Sequence, residues 1–171
     1  MSRDSRRRAE LLAALDEEFR DLSTATILFH QAVADRLGMH VTDHKCAGIL
    51  MRTGPIPAGE LARRTGLTTG AITGVIDRLE KAGFARRVRD PGDRRRVIVE
   101  PLVGQLERVV MPLFASMARA SRALCERYTT EELAVIRDFT DRCRQMAEDE
   151  TRKLREGATT TERHKTATRK R

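Results

Sequence analysis

At 171 residues the chain can bury one real core, and with 4% aromatic residues and no Trp it suits a helical bundle better than a β-sandwich. No apolar run reaches the roughly 18 residues of a membrane span, and the basic N-terminus has no apolar segment behind it, so neither insertion nor secretion is expected. The formal charge of +8 is concentrated: residues 1–8 hold four Arg and one Asp, 151–171 eight Lys/Arg and two Glu, and 60–96 ten Lys/Arg against five Asp/Glu, a distribution that suits a polyanion partner.

Residues 1–8 read as a disordered basic tail. From Ala9, the positions Leu11, Leu15, Phe19, Leu22, Thr26, Phe29, Val33 and Leu37 step by three or four, predicting one amphipathic helix of about seven turns that ends at Gly38. Thr42 and Asp43 read as the cap of a second helix reaching about Arg52, with Cys46, Ile49 and Leu50 inward and Gly54-Pro55 as its breaker. Pro57 to Arg64 reads as a short third helix and Gly66 as a tight turn. Thr68 or Thr69 then caps a fourth helix whose Ile72, Val75, Ile76 and Leu79 share one face, with Gly83 as its left-handed stop. Two short strands, Phe84–Arg89 and Arg95–Val99, flank an Asp90-Pro91-Gly92-Asp93-Arg94 turn. Pro101 is expected to open a long helix through Tyr128. Thr129 or Thr130 with Glu132 forms a capping box for a last helix to about Leu154, and residues 155–171 read as disordered.

Helix, glycine turn, helix and basic hairpin form the plan of a winged helix-turn-helix, so the expected fold is mainly α with a small β-hairpin wing. The fourth helix carries Thr69, Gly70 and Thr73 outward beside the cap Thr68. Short side chains allow deep entry into a major groove, where threonine can bond base edges or meet a thymine methyl. Arg78 and Lys81 are expected at phosphates, Arg63 and Arg64 at the backbone, and Arg94 and Arg95 at the wing tip in the adjacent minor groove. For Arg86, Arg87 and Arg89, strand alternation leaves DNA contact and a solvated surface charge equally open.

Competing chemistries find less support. His30, His40, Asp43, His44 and Cys46 lack a tight second pair of ligands, so they read as structural or exposed groups and no metal is expected. Cys46, Cys125 and Cys143 fall on apolar helix faces and read as buried reduced thiols. No Gly-rich phosphate loop, Ser-His-Asp set or HExxH occurs, so neither catalysis nor a cofactor is expected. A winged-helix protein that binds DNA without sequence preference, or mediates protein contacts, is the alternative reading.

The segments GELARRTGLT (Gly59–Thr68), VIDRLEKAGFARR (Val75–Arg87) and DPGDRRRV (Asp90–Val97) resemble the MarR family of bacterial transcription regulators, over most of residues 9–154. The family's wing Asp-x-Arg is met by Asp93 and Arg95, whose implied role is to brace the hairpin, whereas Glu100-Pro101 stands where the family often has Leu-Thr. The resemblance implies a homodimer whose helical dimerisation region is formed by 9–40 and 101–154, with 41–100 as the winged helix-turn-helix DNA-binding domain. It also implies a cytoplasmic, nucleoid-associated repressor on a pseudo-palindromic operator in double-stranded DNA, released by a small aromatic or phenolic effector. Phe29, His30, Val33, Met39, His40 and Leu50, where the first two helices converge, are the candidate lining of that site.

Overall fold

The computed structural model describes residues 2–90, 92–93 and 96–168, without the side chains of 157–168. In chain order the elements are α1 (Arg3–Arg36), α2 (Val41–Thr53), β1 (Ile56–Pro57), α3 (Ala58–Thr65), α4 (Thr69–Lys81), β2 (Ala85–Arg89), β3 (Val97–Pro101), α5 (Val103–Val109), α6 (Met111–Cys125) and α7 (Thr130–Thr168). The chain is mostly helical, with one small antiparallel sheet in the order β1-β3-β2. It divides into two compact units, one through Ser116 and one from Met117.

The core of the first unit lies where α2, α3 and α4 meet the sheet. Ile72, Val75, Ile76 and Leu79 of α4 are buried as their spacing predicts, against Leu50 and Cys46 of α2, Leu61 of α3, Phe84 just before β2, Val99 of β3 and Leu106 of α5. The ends of α4 match expectation. The Thr68 hydroxyl accepts from the Ala71 N–H at 3.2 Å, and Gly83 follows the last turn at φ 71°. Gly66, at φ 72°, turns the chain between α3 and α4 in the left-handed region where a side chain would be strained.

Several boundaries differ from expectation, each for a local reason. Residues 3–8, expected as a tail, form the first turns of α1, because the Ser2 side chain caps the helix by accepting from the Ser5 N–H at 3.1 Å. The cap of α2 is His40 rather than Thr42 or Asp43. A third strand, β1, pairs Ile56 with Val99, and Pro57 is tolerated there because the strand is at a sheet edge. Pro101 ends β3 instead of opening a helix, and α5 begins after Leu102, whose N–H donates to the Phe84 carbonyl at 2.9 Å. The single helix expected through Tyr128 is broken at Val110, since Pro112 has no N–H to offer the Arg108 carbonyl.

In the second unit, Thr129 and Glu132 form the expected capping box: Thr129 N–H donates to Glu132 Oε2 at 2.8 Å, and Glu132 N–H to the Thr129 hydroxyl at 3.2 Å. α7 then runs to Thr168, through most of the stretch expected to be disordered. Pairs one turn apart, such as Arg144–Glu148 at 2.8 Å and Lys153–Glu150 at 2.6 Å, support it in the absence of an intervening proline.

Candidate nucleic-acid interface

The outward side of α4 is built from small residues on a helix that is fastened at several points. Thr69, Gly70 and Thr73 are exposed, and a Cβ added at Gly70 would meet no atom within 4 Å. The Thr73 hydroxyl donates to the Thr69 carbonyl at 2.9 Å, which leaves its oxygen as an acceptor and its methyl free for apolar contact. The Thr68 hydroxyl is engaged as the helix cap, so its contribution is to hold the first turn. Lys81 is exposed in the last turn.

Two arginines fasten this helix from different sides. Arg78, expected at a phosphate, donates from Nε and Nη2 to the two carboxylate oxygens of Asp43 on α2, at 2.7 and 2.8 Å. The Asp43 side chain is only 3% exposed, so the fork neutralises a carboxylate that would otherwise be buried without a partner. These bonds raise the Arg78 pKa above its ordinary range. Arg87 on β2 pairs with Asp77 at 2.6 Å and with Glu80, and donates to the Thr73 carbonyl at 3.2 Å, while its own N–H donates to Glu80 Oε1 at 2.6 Å. It ties the first wing strand to α4. Neither role was legible in the sequence: Asp43 lies 35 residues from Arg78, and Arg87 had only strand alternation to judge it by.

Arg63 and Arg64 on α3 share Glu60, with Arg64 Nε at 2.8 Å, so part of their charge is already balanced. Arg86 stands opposite Glu100 in the hairpin register and pairs with it at 2.8 Å, a cross-strand contact rather than a free cation. At the wing tip, Asp90 accepts from the Gly92 N–H at 2.8 Å, and the Asp93 carbonyl accepts from the Arg96 N–H at 2.8 Å, which folds the turn back on itself. Arg94 and Arg95 lie outside the described residues.

The model of the MarR family matches residues 42–97, the span from the start of α2 to the first residue of β3. The uncharacterized HTH-type transcriptional regulator YcgE of Bacillus subtilis (strain 168) is 44% identical over 149 residues, covering 87% of this chain and 96% of that protein. This chain belongs to the MarR family. As a MarR-family protein it is a DNA-binding transcriptional regulator rather than an enzyme. Solved structures share the fold. A MarR family protein from Bacillus stearothermophilus superposes with a TM-score of 0.64 at 20% identity, covering 80% of this chain and 95% of that one. Overoxidized AbfR bound to DNA superposes with a TM-score of 0.51 at 17% identity, covering 83% and 98%.

Within this MarR-family chain, the residues proposed to line an effector site separate. Leu50 and Val33 are buried, Met39 packs against the core, and His40 is exposed as the cap of α2. Phe29 and His30 join His44 and Phe114, two residues outside that expected lining. Phe29 meets Phe114 edge-on with ring centroids 5.4 Å apart, and His44 stacks on Phe114 at 6.0 Å. No helical period links Phe114 to α2, so only the tertiary fold shows this cluster.

Among the described residues no group of three or more His, Cys, Asp and Glu could hold a metal ion. Cys46 is buried as expected, and burial, with the Asp43 carboxylate beside it, pushes its thiol up to about 11, far from a reactive thiolate. Cys125 is exposed and Cys143 half-buried, contrary to the expectation that all three are buried. No helix among the described residues is long and apolar enough to cross a membrane.

Proposed function

We propose that this regulator binds a pseudo-palindromic operator as a homodimer, represses the adjacent gene from the cytoplasmic nucleoid, and is released by a small aromatic or phenolic effector. The observation that carries the operator reading is the pairing of a small-residue face on α4 with the Arg78 and Arg87 anchors behind it. A helix held rigidly with short side chains outward is suited to base edges, because groove readout needs fixed geometry and close approach. Lys81, Arg63 and Arg64 then meet phosphates, while Arg94 and Arg95 are the wing's candidates for the adjacent minor groove. AbfR, whose fold the chain shares, is seen on DNA.

The dimer reading is supported by the apolar stripe of α1. Leu11, Leu15, Phe19 and Leu22, spaced as an inward face, are 57%, 45%, 37% and 63% exposed in the single chain. Covering such side chains is worth about 1.5–3 kcal/mol each, and contiguous patches of this kind mark interfaces. Residues 9–40 and 101–154 thus form the dimerisation region, with 41–100 as the DNA-binding domain. The two copies of α4 would meet successive major grooves roughly 34–36 Å apart. The effector reading rests on the Phe29–His30–His44–Phe114 cluster, which offers ring faces beside polar nitrogens.

Light scattering and operator titration test this together. The wild-type protein is expected to have twice the chain mass and to bind one palindromic duplex per dimer. Phe19→Asp/Leu22→Asp is expected to run as a monomer and to lose at least about a hundredfold in operator affinity, since each half-site then binds alone. A wild-type monomer binding one half-site per chain would contradict the proposal.

A further inference from the structure

We propose that the His30–His44 pair is a proton-operated latch between α1 and α2, which opens on acidification, loosens the recognition helix and lowers operator affinity. The proposal rests on the reading of α4 as the helix that enters the operator. Its basis is geometric. His30 Nδ1 on α1 and His44 Nε2 on α2 are 3.1 Å apart, so one ring must donate to the other. The ring centroids lie 5.3 Å apart, and Phe114 of α6 packs against both. His44 is 5% exposed. Neighbouring Asp43, in the same first turn of α2, holds Arg78 of α4. A displacement of that turn therefore moves the anchor of α4 with it.

The surroundings oppose a charge on this pair. From α2, the cation of Lys45 acts on both rings and that of Arg52 on His30. α1 supplies His30 itself, and α6 meets the rings through the uncharged Phe114. The α2 carboxylate nearest in sequence, Asp43, is engaged by Arg78. Burial first, then these neighbours, holds both imidazoles below their ordinary pKa of 6.5. A second proton on the pair would also set two N–H groups against each other and remove the hydrogen bond. The sign follows by linkage. The closed arrangement excludes protons that an opened one accepts, so its stabilisation is complete above pH 6.5 and is lost as pH falls below it. A ligand such as the proton shifts a conformational equilibrium only through such a difference between states.

The test compares wild-type protein with His30→Gln/His44→Gln, whose amides can hydrogen-bond but do not titrate. Binding to a duplex from upstream of the gene and amide hydrogen exchange of α4 are followed from about pH 8 to about pH 5.5, across the histidine range. Below the latch midpoint, wild-type affinity is expected to fall by up to roughly tenfold per pH unit for one linked proton. Exchange in α4 should rise with the same midpoint, and the double variant should show neither response. Equal pH profiles in both proteins would overturn the latch. If the double variant does not fold, imidazole ¹⁵N titration of wild type decides: a histidine midpoint matched by the rise in α4 exchange supports the latch, and unmatched midpoints overturn it. Exchange that responds to pH while no duplex binds even at about pH 8 would sustain the latch and refute the operator reading instead.

Discussion

Gly70→Glu is expected to stabilise the free protein while removing operator binding. The position lies in the first turn of α4, is exposed, and has open space where the new Cβ would stand. Replacing glycine in a helix is worth up to about 0.5–1 kcal/mol, and a carboxylate near the helix N-terminus adds roughly 0.3–1 kcal/mol. On DNA the same side chain stands where the helix must approach closely, and its charge repels phosphate and most base-edge acceptors. A misfit of this kind costs about 1–3 kcal/mol per half-site and counts twice in a symmetric dimer, so a loss of at least about thirtyfold is expected. Thermal melts and duplex titrations on one preparation would show the opposed effects. Retained affinity would mean that this face of α4 does not enter the groove.

Leu79→Ala is expected to carry the largest stability cost among α4 substitutions. Leu79 is 0% exposed and lies in the cluster joining α2, α3, α4 and the sheet. Truncating a leucine there removes transfer free energy and leaves a cavity that rigid neighbours cannot fill, costing about 2–5 kcal/mol. Urea unfolding should show a lowered midpoint with an unchanged slope. Leu79→Met, which nearly conserves volume, should cost less than about 1.5 kcal/mol. If both variants unfold alike, packing at this position is not what holds α4 in place.

The parts of the fold visible in the sequence were those set by neighbours within a few residues. The Ile72–Val75–Ile76–Leu79 spacing, the Thr68 cap and the Gly83 stop located α4, and Thr129 with Glu132 located the start of α7. What escaped depended on partners distant in the chain. Periodicity places Arg78 at an outward edge of α4 but gives no sign of its fork with Asp43 on α2, 35 residues away. β1 is only two residues long and contains a proline, so no alternation could announce it; its pairing with Val99 depends on where β3 runs. The α1 stripe was read correctly as apolar but is exposed in the single chain, because periodicity shows that a face needs covering and not what covers it. The aromatic and histidine cluster requires α1, α2 and α6 to converge, which no local pattern encodes.

Sequence-specific operator binding is tested most directly by fluorescence anisotropy against the duplex upstream of the gene and a scrambled duplex, each at two salt concentrations. The expected result is a preference of roughly a thousandfold or more for the upstream duplex, retained at the higher salt, while affinity for both falls steeply as counterions compete. Equal binding to both duplexes that disappears together with rising salt would contradict sequence-specific recognition of this site and leave a protein that coats DNA through its charge alone.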